Sequence, residues 1–592
     1  CMQFPKDLSL YPKCYEKMIW MFSGWKTHKC YAEYGIDGSL CSFRRYLSVV
    51  ENHCPPLPSE SVSYKLVETD TIAKMLLDTL GHMKFSYMKD RLTQYWSSWN
   101  EALQRTFSRY SHSMKNRKKM NIMLTMGILA DPNINFGQRS SSGGPLGELL
   151  QWTDLIACLF LLGHNLYIST DKATLLQHVD LFPVGSPCPN DRQGVDLIIT
   201  DIVGLRSFNS RKDFIMQHKC RIRLLDSFGT HVEFNYKSYF NAHQGDLGMK
   251  GKSRNPWGGN ELKLLQYWTF FPHTPDNDFL GFAIHKSNTK PMFERNSRGR
   301  PVSLIYGKEK YMWSGSEAVI NILKSLTEVH ATVADAKDSS GMFSNVINHG
   351  FLNGSAVAAL MKSSNIFFGL GFPLEGPAPL EAIAHGAVFI NPKFIPPKSR
   401  RNTMFLHEKP TLREFTSQSP YLERFGKPHV YTVDFSNTSA LENALMQAIK
   451  EKPDPFIPEE YTPEGMLIRV HVLISRDLCS NTSVWPPIHA FLPKLGVPDM
   501  SCEDVCHGSN FVCEPSFFSL INSATLMESI AGCSPFQLAN STEPYAPFKC
   551  SLQSNTLMFS CASRPPAGRE VVRICPCRDY LLEQVAFCRN CV

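Results

Sequence analysis

The chain has 592 residues, more than one hydrophobic core can organise, so three or four folding units are expected. A content of 43% hydrophobic and 19% charged residues is ordinary for a globular protein and excludes extended disorder. The formal charge of +7 is mild and comes without a basic stripe or interleaved aromatics, which excludes a nucleic-acid partner.

In chain order, residues 1–60 are cysteine-rich and irregular and end in PPLP at 55–58. Residues 70–112 read as helix, because Ile72, Met75, Leu76, Leu80, Met88, Leu92 and Trp96 recur at helical spacing. The basic run 115–119 reads as a solvated face. From about 121 the texture becomes short apolar strands alternating with helices. Strands are expected at 122–129, 166–168, 195–200 and 221–225, with a helix over 148–162 that Gly163 caps. A second alternating run follows, with strands at 302–306, 329–333, 366–368, 387–390 and 429–433. Its helices fall at 316–327, 354–362, 377–385 and 439–450. Such alternation is the mark of a parallel α/β sheet. A Pro-rich span at 452–463 leads to a last helix, and a cysteine-rich module closes the chain. The expected organisation is a disulfide-rich and helical region at 1–118, a Rossmann-like unit at 119–290, a second at 291–477, and a cysteine module at 478–592.

The cysteines divide unevenly: five in the first 54 residues, eleven from Cys479 to Cys591, and only Cys158, Cys188 and Cys220 between. Clustering at both ends reads as stapling of peripheral layers in an oxidising compartment. The pairs CPC at 575–577 and CRNC at 588–591 also admit a zinc reading, though no matching His spacing accompanies them. Nineteen is odd, and Cys158, inside the apolar run 155–162, is the candidate free thiol. Sequons stand at Asn353, Asn437, Asn481 and Asn540. No uncharged apolar stretch reaches 18 residues, and no signal peptide opens the chain. The expectation is a chain cut from a longer precursor, whose missing part carries the targeting segment.

Two segments carry the chemistry. Residues 140–148, SSSGGPLGE, follow the first strand and open a helix. Glu148 falls in its first turn, where it reads either as a helix-start carboxylate or as a cleft-facing general base. Residues 369–385, GLGFPLEGPAPLEAIAH, run from a strand through a glycine-rich turn into a helix. Backbone amides there suit a diphosphate, with Glu375 before the helix and Glu381 inside it, a glutamate one turn in being placed for ribose hydroxyls. Asp276 and Asp278 form a literal D-x-D, but after Pro275 the stretch reads as a turn between the two α/β units rather than as a metal–nucleotide strand end.

Residues 369–386 closely resemble the α-1,6-mannosylglycoprotein 6-β-N-acetylglucosaminyltransferase family. So do NPKF at 391–394, KPTLRE at 409–414 and PHV at 428–430, with GGPLGE at 143–148, LDSFGT at 225–230, FPHTPDN at 271–277, CEPSFF at 513–518 and CPCRD at 575–579. The resemblance spans essentially the whole chain. It implies a GT-B fold of two Rossmann-like domains in a type II Golgi membrane enzyme, anchored by a segment absent from this chain, with release after cleavage as a second fate. It implies inverting, metal-independent transfer of GlcNAc from UDP-GlcNAc to the mannose 6-hydroxyl of N-glycan acceptors. By the same likeness Glu148 is the base, Glu375, Glu381 and Lys409 bind the donor, and Asp226, Phe228 and Trp257 bind the acceptor. Disulfides are expected within each terminal cluster and from Cys220 to the start of the C-terminal module. The pattern departs from the family at Leu374, His385, Glu408, His231, Val232 and residues 258–266, which leaves the acceptor open. The same β-1,6 transfer onto O-mannosyl glycans, or a non-catalytic glycan-binding homologue, stand as alternatives.

Overall fold

A computed structural model describes residues 11–27, 31, 36–49, 51, 53–55, 86–110, 114, 117–130, 146–182, 194–252, 255–286, 289–295, 299–333, 343–451, 453–479, 486, 488–534, 537–540, 543–554 and 558–579. The predicted helix over 70–85, the loop 140–145, the sequon at Asn481 and the pair at 588–591 lie outside these residues. Asn353, Asn437 and Asn540 are exposed.

Two short helices, α1 (Cys14–Gly24) and α2 (Leu40–Val49), stand near the start. Cys14 is bridged to Cys54. Helix α3 (Ser86–Arg109) follows, with Met88, Leu92, Trp96, Trp99 and Leu103 buried along one face. The first sheet is wholly parallel. Its strands are β1 (Asn121–Thr125), β2 (Asn165–Ser169), β3 (Leu197–Asp201), β4 (Ile222–Leu225), β5 (Tyr267–Thr269) and β6 (Asp278–Phe279), and their order is β2-β1-β3-β4-β5-β6. Helix α4 (Gly147–Leu161) joins β1 to β2, and Gly163 beyond its end takes φ +82°, as a C-terminal glycine does. Helix α5 (Lys172–Leu181) follows β2.

Strand β1 stops at Thr125, short of the predicted 129, because a helical turn begins at Gly127. Asp201 explains the stop. Its carboxylate accepts N–H groups from Ile128 (2.9 Å), Val203 (3.0 Å) and Gly204 (2.8 Å), so it caps two helices at once. The two backbones then approach so closely that a Cβ on Gly127 would sit 1.8 Å from the Gly204 nitrogen. Strands β5 and β6, of three and two residues, escaped the sequence reading. Asp278 therefore ends the first sheet in a strand, rather than lying in a turn between units.

The second sheet holds β7 (Val302–Tyr306), β8 (Glu328–Ala331), β9 (Val346–Asn348), β10 (Ile366–Gly369), β11 (Val388–Lys398), β12 (Phe415–Ser417) and β13 (Val430–Val433). The core order is β9-β8-β7-β10-β11-β13, all parallel, and β12 pairs antiparallel with the far half of β11. Helices α6 (Glu317–Leu326), α7 (Gly354–Ser363), α8 (Ala378–Ala384) and α9 (Thr438–Lys450) cover it. Strand β11 runs eight residues past its predicted end, through Pro396 and Pro397. Proline is tolerated there because this half pairs with β12 at only two positions. Two doubly wound parallel sheets, one after the other, constitute the GT-B fold.

The last helix, α10 (Pro463–Ser475), lies by sequence inside the second expected unit but packs against the first. Its Met466, Leu467, Val470 and Leu473 pack with Trp96 of α3 and Trp152 and Ile156 of α4 in the first unit's core. Helix α3 joins the same core, so the predicted boundary at 118 separates residues that pack together. Cys220 pairs with Cys479 where α10 leads into the C-terminal module. There β14 (Phe491–Leu495), β15 (Val512–Cys513) and β18 (Ile574–Arg578) form one sheet, and β16 (Gln537–Ala539) pairs with β17 (Ser551–Gln553). Disulfides 502–575, 506–577, 513–561 and 533–550 staple it, so Cys575 and Cys577 are bridged rather than held as zinc ligands. Cys158 is a buried free thiol. The bridges fit an oxidising compartment. Among the described residues no helix is long and apolar enough to cross a membrane.

Gly127→Ala should destabilise the protein by about 1–3 kcal/mol or more, because the methyl meets backbone that cannot move aside. Chemical denaturation measures this, and an unchanged midpoint would contradict the close approach.

Candidate active site

Glu148 is in the first turn of α4, half-buried. That turn abuts the start of α8, since a Cβ on Gly147 would lie 3.9 Å from Pro377 Cδ and 3.7 Å from Phe270. The two helices thus begin face to face, one from each unit, and each carries a glutamate in its first turn, Glu148 and Glu381. Burial pushes the Glu148 carboxyl above the ordinary carboxylate range. Its own backbone amide and the Lys409 ammonium pull it down, while Asp201 pushes it up.

Lys409 comes from the second unit but meets residues of the first. Its Nζ stands 5.0 Å from the ring of Phe405, 5.1 Å from Phe228 and 5.2 Å from Trp257, a three-sided aromatic cage. Burial lowers its pKa, and Asp226, Glu148 and Glu408 raise it. The carrying loop is fixed from both sides. Arg400 donates to the carbonyls of Leu247 (3.0 Å), His407 (2.7 Å) and Lys409 (2.9 Å), and the His231 N–H donates to Pro410 O (2.8 Å). Asp226 accepts from the Thr230 hydroxyl at 2.5 Å and from the Phe228 N–H at 3.3 Å. Burial still drives its pKa up, against these bonds and Lys409.

The structure therefore gathers Glu148, Lys409, Asp226, Phe228 and Trp257 into one constellation. Lys409, expected with the donor-side glutamates, has Asp226 and Glu148 of the first unit as its leading charge partners. Glu381 lies apart, with its field falling on Tyr306 and Lys308 at the end of β7 and on Tyr87 and Arg91 of α3. Glu375 is buried, at φ +50°, and its carboxylate is held bidentate by Arg413 at 2.7 and 2.9 Å, with His273 at 3.9 Å. Burial would raise its pKa, but Arg413 and His273 outweigh that and keep it below the usual carboxylate range. A carboxylate so committed orders the glycine-rich turn. A cavity of about 440 Å³ opens beside it, lined by His231, His273, Glu375 and Arg413 and, from the C-terminal module, Glu503 and Arg564. Glu148 does not line that cavity.

The sequence reading did not single out Arg413, Phe405, Arg400 or Lys308. Arg413 sits inside the 409–414 motif, and an arginine near a glutamate-bearing glycine turn was the available signal. The D-x-D carboxylates are engaged elsewhere. Asp276 accepts the N–H groups of Cys561 (2.8 Å) and Ala562 (2.9 Å), and Asp278 takes Arg476 at 2.7 and 3.0 Å.

Two Rossmann-like units with a charged, aromatic-lined crevice at their facing helix starts define a group-transferring enzyme of GT-B type. The model of glycosyltransferase family 18 matches residues 30–577. The α-1,6-mannosylglycoprotein 6-β-N-acetylglucosaminyltransferase of Caenorhabditis elegans is 47% identical over 607 residues, covering 100% of this chain and 90% of its own. The A form from Homo sapiens is 40% identical over 605 residues, covering 98% and 80%, and the B form 35% over 641 residues, covering 98% and 79%. The chain belongs to glycosyltransferase family 18.

Removing Arg413 would leave Glu375 charged and buried without its bidentate partner. Arg413→Ala should cost about 3–5 kcal/mol in a denaturant titration, and adding Glu375→Gln should return much of it. If the double variant is no more stable than the single one, the pair is not what holds this turn.

Proposed function

We propose that this chain transfers GlcNAc from UDP-GlcNAc to the 6-hydroxyl of an α-linked mannose of an N-glycan, with inversion and without a metal, forming a β-1,6 branch. The names of its relatives support the linkage and the acceptor. The observation that carries the chemistry is the half-buried Glu148 at the crevice between the units, paired electrostatically with a caged lysine. In the proposed step the mannose O6 attacks C1 of GlcNAc and gives its proton to a Glu148 oxygen. The new O6–C1 bond forms as the C1–O bond to phosphate breaks, and the electron pair leaves on the β-phosphate of UDP. Phe228 and Trp257 offer faces for the apolar side of a pyranose, and Asp226 accepts from a sugar hydroxyl. Lys409 keeps the neighbouring carboxylates charged. Glu381 faces the donor, and Glu375 shapes the donor turn through Arg413. The setting is the Golgi lumen, with the chain tethered there through a further segment.

The test is transfer from UDP-GlcNAc to a mannose-terminated N-glycan acceptor in the presence of EDTA. Wild type should be active, and Glu148→Gln should lose about 10²–10⁴ in kcat while still binding UDP. Activity abolished by the chelator would remove the metal-free step, and a Gln variant of near-normal rate would remove Glu148 from it.

The base must be ionised, so the rate should rise with pH through the elevated Glu148 pKa and level off above it. Lys409→Met deletes a charge that lowers that pKa. The acid limb of kcat should therefore move to higher pH, and a limb that stays in place or moves down would contradict the coupling.

A further inference from the structure

An open parallel sheet binds ligands outside the carboxyl ends of its strands, where the strand order reverses. Each of the two sheets has one such point. In the first it lies between β1 and β3. There the carboxylate of Asp201 accepts three backbone N–H groups, from Ile128, Val203 and Gly204. The protein's own anion occupies the place that a phosphate would take. In the second sheet the point lies between β7 and β10. Strand β7 ends at Tyr306, and two residues later comes Lys308.

Lys308 is half-buried, and its ammonium makes no hydrogen bond or ion pair with any described residue. Burial lowers its pKa, and Glu381 of the same unit, in the first turn of α8, opposes that. The other cations nearby are committed. Arg413 is bound to Glu375, Arg400 to loop carbonyls, and Lys398 to the Gly371 carbonyl at 3.2 Å; Lys409 shares its charge with Glu148 and Asp226. A half-buried ammonium at the switch point, without a partner, is built for an anion that arrives with a ligand. We infer that Lys308, rather than Lys409, holds the diphosphate of the donor. This rests on the sugar-nucleotide reading given above.

The test is calorimetric titration of the intact chain with UDP and with uridine, in EDTA. Wild type should bind UDP well above uridine. Lys308→Met should weaken UDP on the order of 10–100-fold, the scale of one charge-assisted contact, and leave uridine unchanged. Lys308→Arg should recover most of the UDP affinity, and unchanged uridine binding shows that the fold survives. A Met variant that binds UDP as wild type does would overturn the assignment while leaving the sugar-nucleotide reading intact. A wild type that binds neither ligand would overturn both.

Discussion

The site depends on one desolvated cation, the Lys409 ammonium, which crosses from the second unit into the first. A charge taken out of water must be met by opposite charge or by oriented dipoles. Here Glu148 and Asp226 supply the charge, and the faces of Phe228, Phe405 and Trp257 supply the rest. The arrangement holds only while the two units stay in register. Arg400 and the His231–Pro410 hydrogen bond fix the loop that carries the lysine, so the geometry of this constellation is a property of the interface.

The same device recurs wherever distant segments meet. Asp154 of α4 is bidentate with Arg91 of α3 at 2.9 and 2.8 Å, and also accepts the Ala283 N–H at 2.9 Å. Asp276 takes two amides of the C-terminal module, and Asp278 takes Arg476 at the end of the chain's crossing back. Buried pairs of this kind contribute little net stability, because desolvation consumes most of the attraction. Their satisfied geometry fixes relative position. The carboxylates of the D-x-D motif belong to this set: they anchor the C-terminal module and α10 to the edge of the first sheet.

Legibility followed the length of the pattern. Buried parallel strands such as β7 and β10 are nearly continuous apolar runs, and a helix such as α9 is amphipathic enough to read directly. Strands of two or three residues, β5 and β6, are too short to show a period. The return of α10 to the first core was invisible, because amphipathic spacing says that a face is buried but not against what. Glu148 is visible as a first-turn glutamate, but nothing in the sequence tells that its turn stands beside Pro377 of the second unit. The lysine cage joins residues 228, 257, 405 and 409, which no local pattern relates. The family resemblance assigned Lys409 to the donor from its neighbourhood in the motif, whereas its contacts are a tertiary fact.

Asp201 acts beyond the strand end that it caps. Its carboxylate takes three backbone N–H groups at the point where the strand order of the first sheet reverses, whereas the same point of the second sheet carries the Lys308 ammonium. Burial places the Asp201 carboxyl at about 6, against the pull of the backbone amides around it, so it is largely ionised at neutral pH. In that state its field falls on Glu148 and raises its pKa, while Lys409 lowers it from the other side. Burial and Asp201 thus pull the Glu148 pKa up while Lys409 and the residue's own backbone amide pull it down. The carboxylate that caps the two helices beside β1 thus also raises the pKa of Glu148.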